Sequence, residues 1–584
     1  MIRQLRWSTI SIAEVHTEAE QLWESLQTLT QQAVEFVNSY GGSNLLGNVG
    51  LADLTLADCR KVVASSYGFL NWRQLEAHLI STSRAEVEHP ENIEVHFQRF
   101  ACLAWLHYEP AYIERASRML QEHPHLEVED IYTASATGNY NLVEWFLEED
   151  PDLVMSPGGF FGWDPLLYAC NSRLQLPERS TLQVARLLLE KGADPDAHFM
   201  WGGSYRFTAL TGAFGEGKAG PVNYPPHPQW EQLADMLLRA GADPNDGQAL
   251  YNRMFTKGHR CLEMLLDAGL NSDHQCNWYE GDENGYQTPV KMQTLQYQLG
   301  PAISEHRVDR AHMLIDHGAS VETPEGRDPF YLTALLGGHS ELAAKLVDRG
   351  AEVVQLTRVG KFAAALMACD QPAASAALSQ EPTLLEQMQA EHPELLPNAA
   401  TANRMEVVKL AINLGADLTR PGYTMLHAAA WHGHLHLVAE LIEAGAATGV
   451  RDPEQSATPL QWARRAGNLD IVDFLNSCEL DIFDAVVCSN VERITAIAIE
   501  TPEQLETTRL QVSIVNADHE THATDWMTPL AFAATRNEIE AARQLLQCGA
   551  NLYVTSPTGV TLIDLIAAEG PSEMLELLRM SAGV

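Results

Sequence analysis

At 584 residues the chain exceeds what one hydrophobic core can serve, so its 46% of apolar residues must be shared among several domains or added serially along an array. No apolar run reaches the roughly 18 residues that a membrane span needs. The 38 basic and 77 acidic side chains give a charge of −39, which repels a phosphate backbone and offers no basic patch to offset it; the same field attracts a basic protein.

The first residues, MIRQLRWSTISIAEVHTEAEQ, hold two early arginines but no continuous apolar stretch, unlike a secretory signal. Nine scattered cysteines without a C-x-x-C pair resemble reduced thiols, and a cytoplasmic chain is expected. Within residues 1–90, LADCRKVVASSYGFLNWRQLEAHL repeats its apolar positions at helical spacing around a Tyr-Gly-Phe turn, which predicts an N-terminal helical cap. The acidic AEVEHPENIEVH (85–96) reads as the link between this cap and the rest of the chain.

Beyond the link a Gly closes one apolar helical stretch after another: LLLEKGADPD (Gly192), MLLRAGADPN (Gly241), MLLDAGLNSD (Gly269), MLIDHGASVE (Gly318), KLVDRGAEVV (Gly350), LAINLGADLT (Gly415), ELIEAGAATG (Gly445) and QLLQCGANLY (Gly549). Gly318 and Gly350 stand 32 residues apart, and longer gaps are near multiples of about 33. Each unit opens with a capping Thr or Asp, often with Pro next at the first helical position, as in TMLHAAAWHGH, ATPLQWARRAGN and MTPLAFAATRNE. In the unit from Thr424, Leu437, Val438, Leu441 and Ile442 form one stripe, which a single helix pair cannot bury without a neighbour.

This pattern resembles the ankyrin repeat from about Phe97 to the C-terminus, most closely in the units from Thr424, Ala457 and Met527. The resemblance implies an all-α solenoid of about thirteen helix-pair units over residues 91–584, a partner that is another protein, and an N-terminal leader like those of bacterial ankyrin-repeat proteins. Three stretches, 134–154, 361–382 and 483–502, keep the helix-pair length but lose the Thr-Pro or the Gly-Ala.

Inserts break the period at 155–165, 171–180, 197–208, 215–229, 272–288 and 299–307. They hold Phe160, Phe161, Trp163, Phe199, Trp201, Tyr205, Trp278, Tyr279 and Tyr286, and large aromatics on loops over a rigid frame are the material of interface hot spots. These rings, with Tyr168 and the concave face of 155–330, form the candidate partner-binding surface; alternatively the rings fold back over the loops' own cores. Tyr168, Leu332, Trp462 and Phe532 occupy the variable position that the resemblance places on the concave face.

Catalysis has little to stand on. The sequence has no G-x-x-x-x-G-K-[ST] loop, no G-x-S-x-G elbow, no H-E-x-x-H and no dinucleotide fingerprint after a strand. The best candidates for an enzymatic or ligand site are His198 and DHQC, Asp273 to Cys276, with Asp282 and Glu283, and three potential ligands without a fourth do not close a zinc site. Four histidines crowd MLHAAAWHGHLHLV, but His427 and His434 fall on family positions, and Gly433 parts His432 from His436. The expectation is a non-catalytic scaffold without cofactor or metal; an acidic decoy of a basic nucleic-acid-handling protein and an enzyme built from the inserts are the alternatives.

Overall fold

The computed structural model describes residues 12–41, 50–82, 93–103, 105, 111–217, 224–254, 258–277, 292–323, 328–420, 422–453, 456–509, 526–557, 559–569 and 571–583. Helix pairs succeed one another from Ile93–Ala101 and Ala111–Glu122 to Leu562–Glu569 and Ser572–Ala582. First helices of successive units pack on one another, as Leu395–Thr401, Met425–His432 and Pro459–Ala466 do.

All eight glycines read as helix terminators take a left-handed conformation, with φ between +88° and +112°. At Gly192 the N–H returns to Leu189 O at 3.1 Å and that of Ala193 to Leu188 O at 2.9 Å. No atom lies where a Cβ would stand, so glycine is needed there for its backbone freedom alone. The units that lack this glycine stop differently. Asp150 and Glu381 turn extended and Thr501 leaves the helical region, each before a proline, because a proline ring disfavours helical geometry in its predecessor. The prolines open Pro151–Met155 and Pro502–Glu506 as short 3-10 turns, and Pro382 leads into Leu384–Glu391; Leu384 and Leu505 are buried beneath the stack.

Adjacent units are joined by side chains that satisfy backbone groups across the gap. Thr424 and His427 cap the helix Met425–His432 reciprocally, and the far ring nitrogen of His427 donates to Ala457 O of the next unit at 3.1 Å. At the turns, His434 donates to Thr401 O at 2.8 Å, and Asn468 donates to Ala430 O and Trp431 O, both at 2.8 Å. Arg404 binds the carbonyls of Gly337 and Met367 from two earlier turns. Two of the four clustered histidines thus serve backbone groups.

The apolar interior is divided into three. One core holds Val15, Leu26, Val62 and Leu75 of the helices Ile12–Gln27, Gln31–Tyr40, Leu56–Ser66 and Trp72–Thr82, an N-terminal module. A second core runs from the module's Ala77 through the array to Ala351, and a third from Leu336 to Leu578; they meet at the helix Phe330–Leu336.

Two expectations need correction. The chain is mostly but not wholly helical: the insert 197–208 is an antiparallel hairpin of His198–Trp201 with Tyr205–Thr208, in register Phe199 to Phe207. Aromatic residues around a Trp-Gly-Gly-Ser turn favour extended pairing over helix. Residues 299–307 are no loop insert, since most belong to the helix Thr294–Ser304, which carries Pro301 in its interior. Its apolar partners Leu299, Ala302 and Ile303 are buried in the core, and that burial outweighs the proline's local cost.

Burial pushes the His427 imidazole down to about 4, against the pull of Asp452. Between that value and the ordinary one near 6.5 the unfolded chain binds a proton that the folded chain refuses, so stability present at neutral pH is lost as pH falls through this window. His427→Ala is expected to cost about 1–3 kcal/mol at pH 7, with Thr424 N–H left unpaired and Ala457 O left with Asp452 N–H alone, and to lessen the acid sensitivity between pH about 6.5 and 4. Urea unfolding at several pH values checks both.

Candidate protein-binding surface

Of the insert rings, Phe161, Trp163 and Phe199 lie inside. Phe161 stacks on Trp163 at 4.2 Å, Trp163 on Phe199 at 4.5 Å, and Phe199 leans on its hairpin partner Phe207 at 5.5 Å. Trp105 extends the ladder, 5.2 Å from Phe207 and 5.3 Å from Tyr224 of the 215–229 insert. Phe161, Trp163, Tyr168 and Phe199 are 3%, 2%, 0% and 5% exposed, which corrects their reading as partner-contacting residues: the loops needed a core of their own. Tyr168 donates its hydroxyl to Gly158 O at 2.9 Å and accepts Phe161 N–H at 3.0 Å, so it anchors the 155–165 insert. Phe160, Trp201 and Tyr205 are half-buried. Trp278, Tyr279 and Tyr286 lie outside the described residues.

Other inserts are fastened by buried charge and imidazole. Arg173 donates to Pro225 O at 2.7 Å and Gly212 O at 2.6 Å, and His227, pushed down to about 3 by burial and by Arg173, pairs with Thr181 Oγ1 at 2.7 Å. Glu216 pairs with Arg253, which lies over Trp230 at 4.9 Å. In the DHQC run, His274 Nδ1 accepts Asn271 N–H at 3.2 Å and Asp273 N–H donates to Asn271 Oδ1 at 2.9 Å, so these residues form a turn. Among the described residues no group of His, Cys, Asp and Glu is placed to hold a metal ion.

An aromatic surface remains on the first helices further along. Trp462 meets Trp431 edge-on at 5.0 Å and Tyr423 at 5.7 Å, and the Arg465 guanidinium lies 5.8 Å from the Trp462 ring. Trp462 is half-buried and Tyr423 is 38% exposed, so both present ring to solvent. The position of the Trp462 indole is set from beneath: its Nε1–H donates to Asp452 Oδ2 at 2.9 Å, and the same oxygen accepts Ala457 N–H at 3.0 Å. Arg451 beside it donates to Ser456 O at 2.9 Å and pairs with Asp481.

Tyr423 stacks on His427 at 5.6 Å. Its hydroxyl end is enclosed, and the phenol is raised above its ordinary value by this crowding first, then by the charges of Glu305 and Asp452. A cavity of about 80 Å³ bounded by His392, Leu396, Tyr423 and Leu426 adjoins the patch, well below the roughly 300 Å³ at which small-molecule sites begin.

Of the four residues expected on the concave face, Trp462 and Leu332 keep some exposure, whereas Tyr168 and Phe532 are buried. Phe532 lies between the guanidiniums of Arg509 and Arg536, at 4.9 and 4.5 Å, against Phe483. Tyr423 and Trp431 were not picked out from sequence. The signal for Trp431 was its place one helical turn after His427, on a helix that packs on the helix of Trp462.

A family model described as ankyrin repeats (3 copies) matches residues 387–484, the stretch that carries this aromatic patch. No curated protein matches the sequence. Residues 387–484 therefore carry ankyrin repeats, a unit that suggests protein–protein interaction.

Beneath the patch, Asp484 accepts from Thr458 Oγ1 at 2.8 Å and Gln461 Nε2 at 2.7 Å, and burial, then Asp481, pushes its carboxyl up to about 7. The folded state thus holds a proton that the unfolded chain has released, and this contribution, full below pH about 4, is lost as pH rises through about 7. Asp484→Asn keeps the accepting oxygen and is expected to be more stable than the parent at pH 8, with the advantage shrinking toward pH 5. Melting temperatures across that range provide the check.

Proposed function

We propose that this protein is a non-catalytic scaffold that holds another protein on the concave surface around Tyr423, Trp431, Trp462 and Arg465. The observation that carries the reading is the partly exposed Trp462, fixed by Asp452 on a stiff first helix: a large ring already held in place loses little freedom when a partner covers it. The overall charge of −39 favours a basic partner, which fits the narrower reading of an acidic inhibitor or decoy. All nine cysteines are free, in keeping with a reducing compartment such as the cytoplasm, and no described helix is long and apolar enough to cross a membrane.

The reading is tested by affinity purification from the native cell with the full chain, a Tyr423→Ala/Trp462→Ala variant and a Trp201→Ala variant, each shown to be folded by its melting transition. The concave variant is expected to recover its partners at least about tenfold less well, and Trp201→Ala to recover them as the parent does. Loss only in Trp201→Ala would move the surface to the inserts. Raising salt from about 50 to 500 mM is expected to weaken binding, and salt-insensitive binding would sink the decoy reading.

A further inference from the structure

The aromatic inserts carry something other than a foreign partner: the chain's own N-terminal module sits on them. Asn71, at the start of the helix Trp72–Thr82, donates to Gly162 O at 3.1 Å and also accepts Gln74 N–H at 2.9 Å. Arg73 donates to Gly159 O at 3.0 Å, and Gln74 reaches both Gly162 O at 3.4 Å and Met200 N–H at 3.4 Å. One turn on, His78 meets the Trp201 ring edge-on at 6.1 Å.

The seat is cut for close approach. A Cβ on Gly203, in the hairpin turn, would fall 2.0 Å from the Tyr67 carbonyl oxygen, and one on Gly162 would fall 2.6 Å from Asn71 Oδ1. Glycine at those points lets loop and module backbones touch.

The module is also braced within itself. Its core of Val15, Leu22, Leu26, Val62, Val63, Leu75 and neighbours is separate from the array's, and among the described apolar residues of the module only Ala77 is buried in the array core. Within it, His16 pairs with Glu76 at 2.9 Å, and Tyr67 donates to Glu18 at 3.0 Å. Seat and module therefore meet mainly through hydrogen bonds to loop backbone, which water replaces at small net cost, whereas each side keeps its own apolar burial.

We propose that the insert surface is an intramolecular docking site for the helix start 71–78, and that the module leaves and regains it as a folded unit. The chain then has a closed form and an open form, and opening uncovers the Trp201 ring together with the carbonyls of Gly159 and Gly162. This surface is distinct from the concave patch of Tyr423 and Trp462, so either reading stands without the other.

The hairpin turn supplies both a probe and its control. Gly203 and Gly202 have φ of +70° and +58°, so alanine is similarly strained at either, but a Cβ on Gly202 meets only His78 Cε1 at 3.9 Å. Amide hydrogen exchange of the full chain is compared for parent, Gly203→Ala and Gly202→Ala. Gly203→Ala is expected to speed exchange in 158–163 and 198–208 at least about tenfold while the amides of Val62, Val63 and Leu75 stay protected, and Gly202→Ala to stay within about twofold of the parent. Unchanged exchange in Gly203→Ala overturns the proposal, as does loss of protection in the module core together with the inserts, which would make the module an integral part of the array. If Gly203→Ala does not fold, Arg73→Ala/Gln74→Ala answers the same question by the same two criteria.

Discussion

A helix pair of thirty-odd residues has no inside, and this one constraint shapes the whole chain. Each pair can hide its apolar stripe only against the next, so the protein is an interface repeated along its length, and the groups that join unit to unit matter most. Here the joints are side chains that complete another unit's backbone: His427 on Ala457 O, His434 on Thr401 O, Asn468 on Ala430 O and Trp431 O, and Arg404 across two earlier turns. Such bonds lie at helix ends, where carbonyls have no partner within the helix. They tie the end of each helix to the unit beside it.

The inserts show what happens when the repeat is interrupted. A loop too long to be satisfied by the stack must bring its own core, and the ladder from Phe161 through Trp163, Phe199 and Phe207 to Trp105 is that core. Buried arginine and histidine, Arg173 and His227, then bind loop carbonyls and hydroxyls that would otherwise be left without partners. The outcome is a rigid platform, which explains how loops can seat a whole helical module through backbone groups. The patch around Trp462 has the opposite design, for Trp462 stays at the surface and only its indole nitrogen is tied down. One aromatic set serves the protein's own architecture, and the other is left open.

The helix ends were legible in the sequence because they depend on local chemistry. Gly192 and its seven counterparts end helices by a backbone conformation that other residues adopt at a cost, and Thr424, Thr458 and Thr528 begin them with a hydroxyl that accepts a free N–H. His427 and His434 were legible too, as structural residues, from their fixed places in the repeat. The proline stops after Asp150, Glu381 and Thr501 obey equally local rules, but a Gly-Ala pair is the repeat's own marker, and units without it are harder to read.

What the sequence could not determine was which aromatic rings face water. Phe161 and Trp201 look alike among the insert aromatics, yet one is core and the other half-covered by the helix start at 71–78; Trp462 and Phe532 hold the same repeat position, yet Phe532 lies under two arginines. Exposure depends on distant chain: the docked module for Trp201, the guanidiniums of Arg509 and Arg536 for Phe532. Period, polarity and helix caps are properties of neighbours along the chain, and the sequence alone determined them. Which surface is left open is a property of neighbours in space, and only the tertiary structure could decide it.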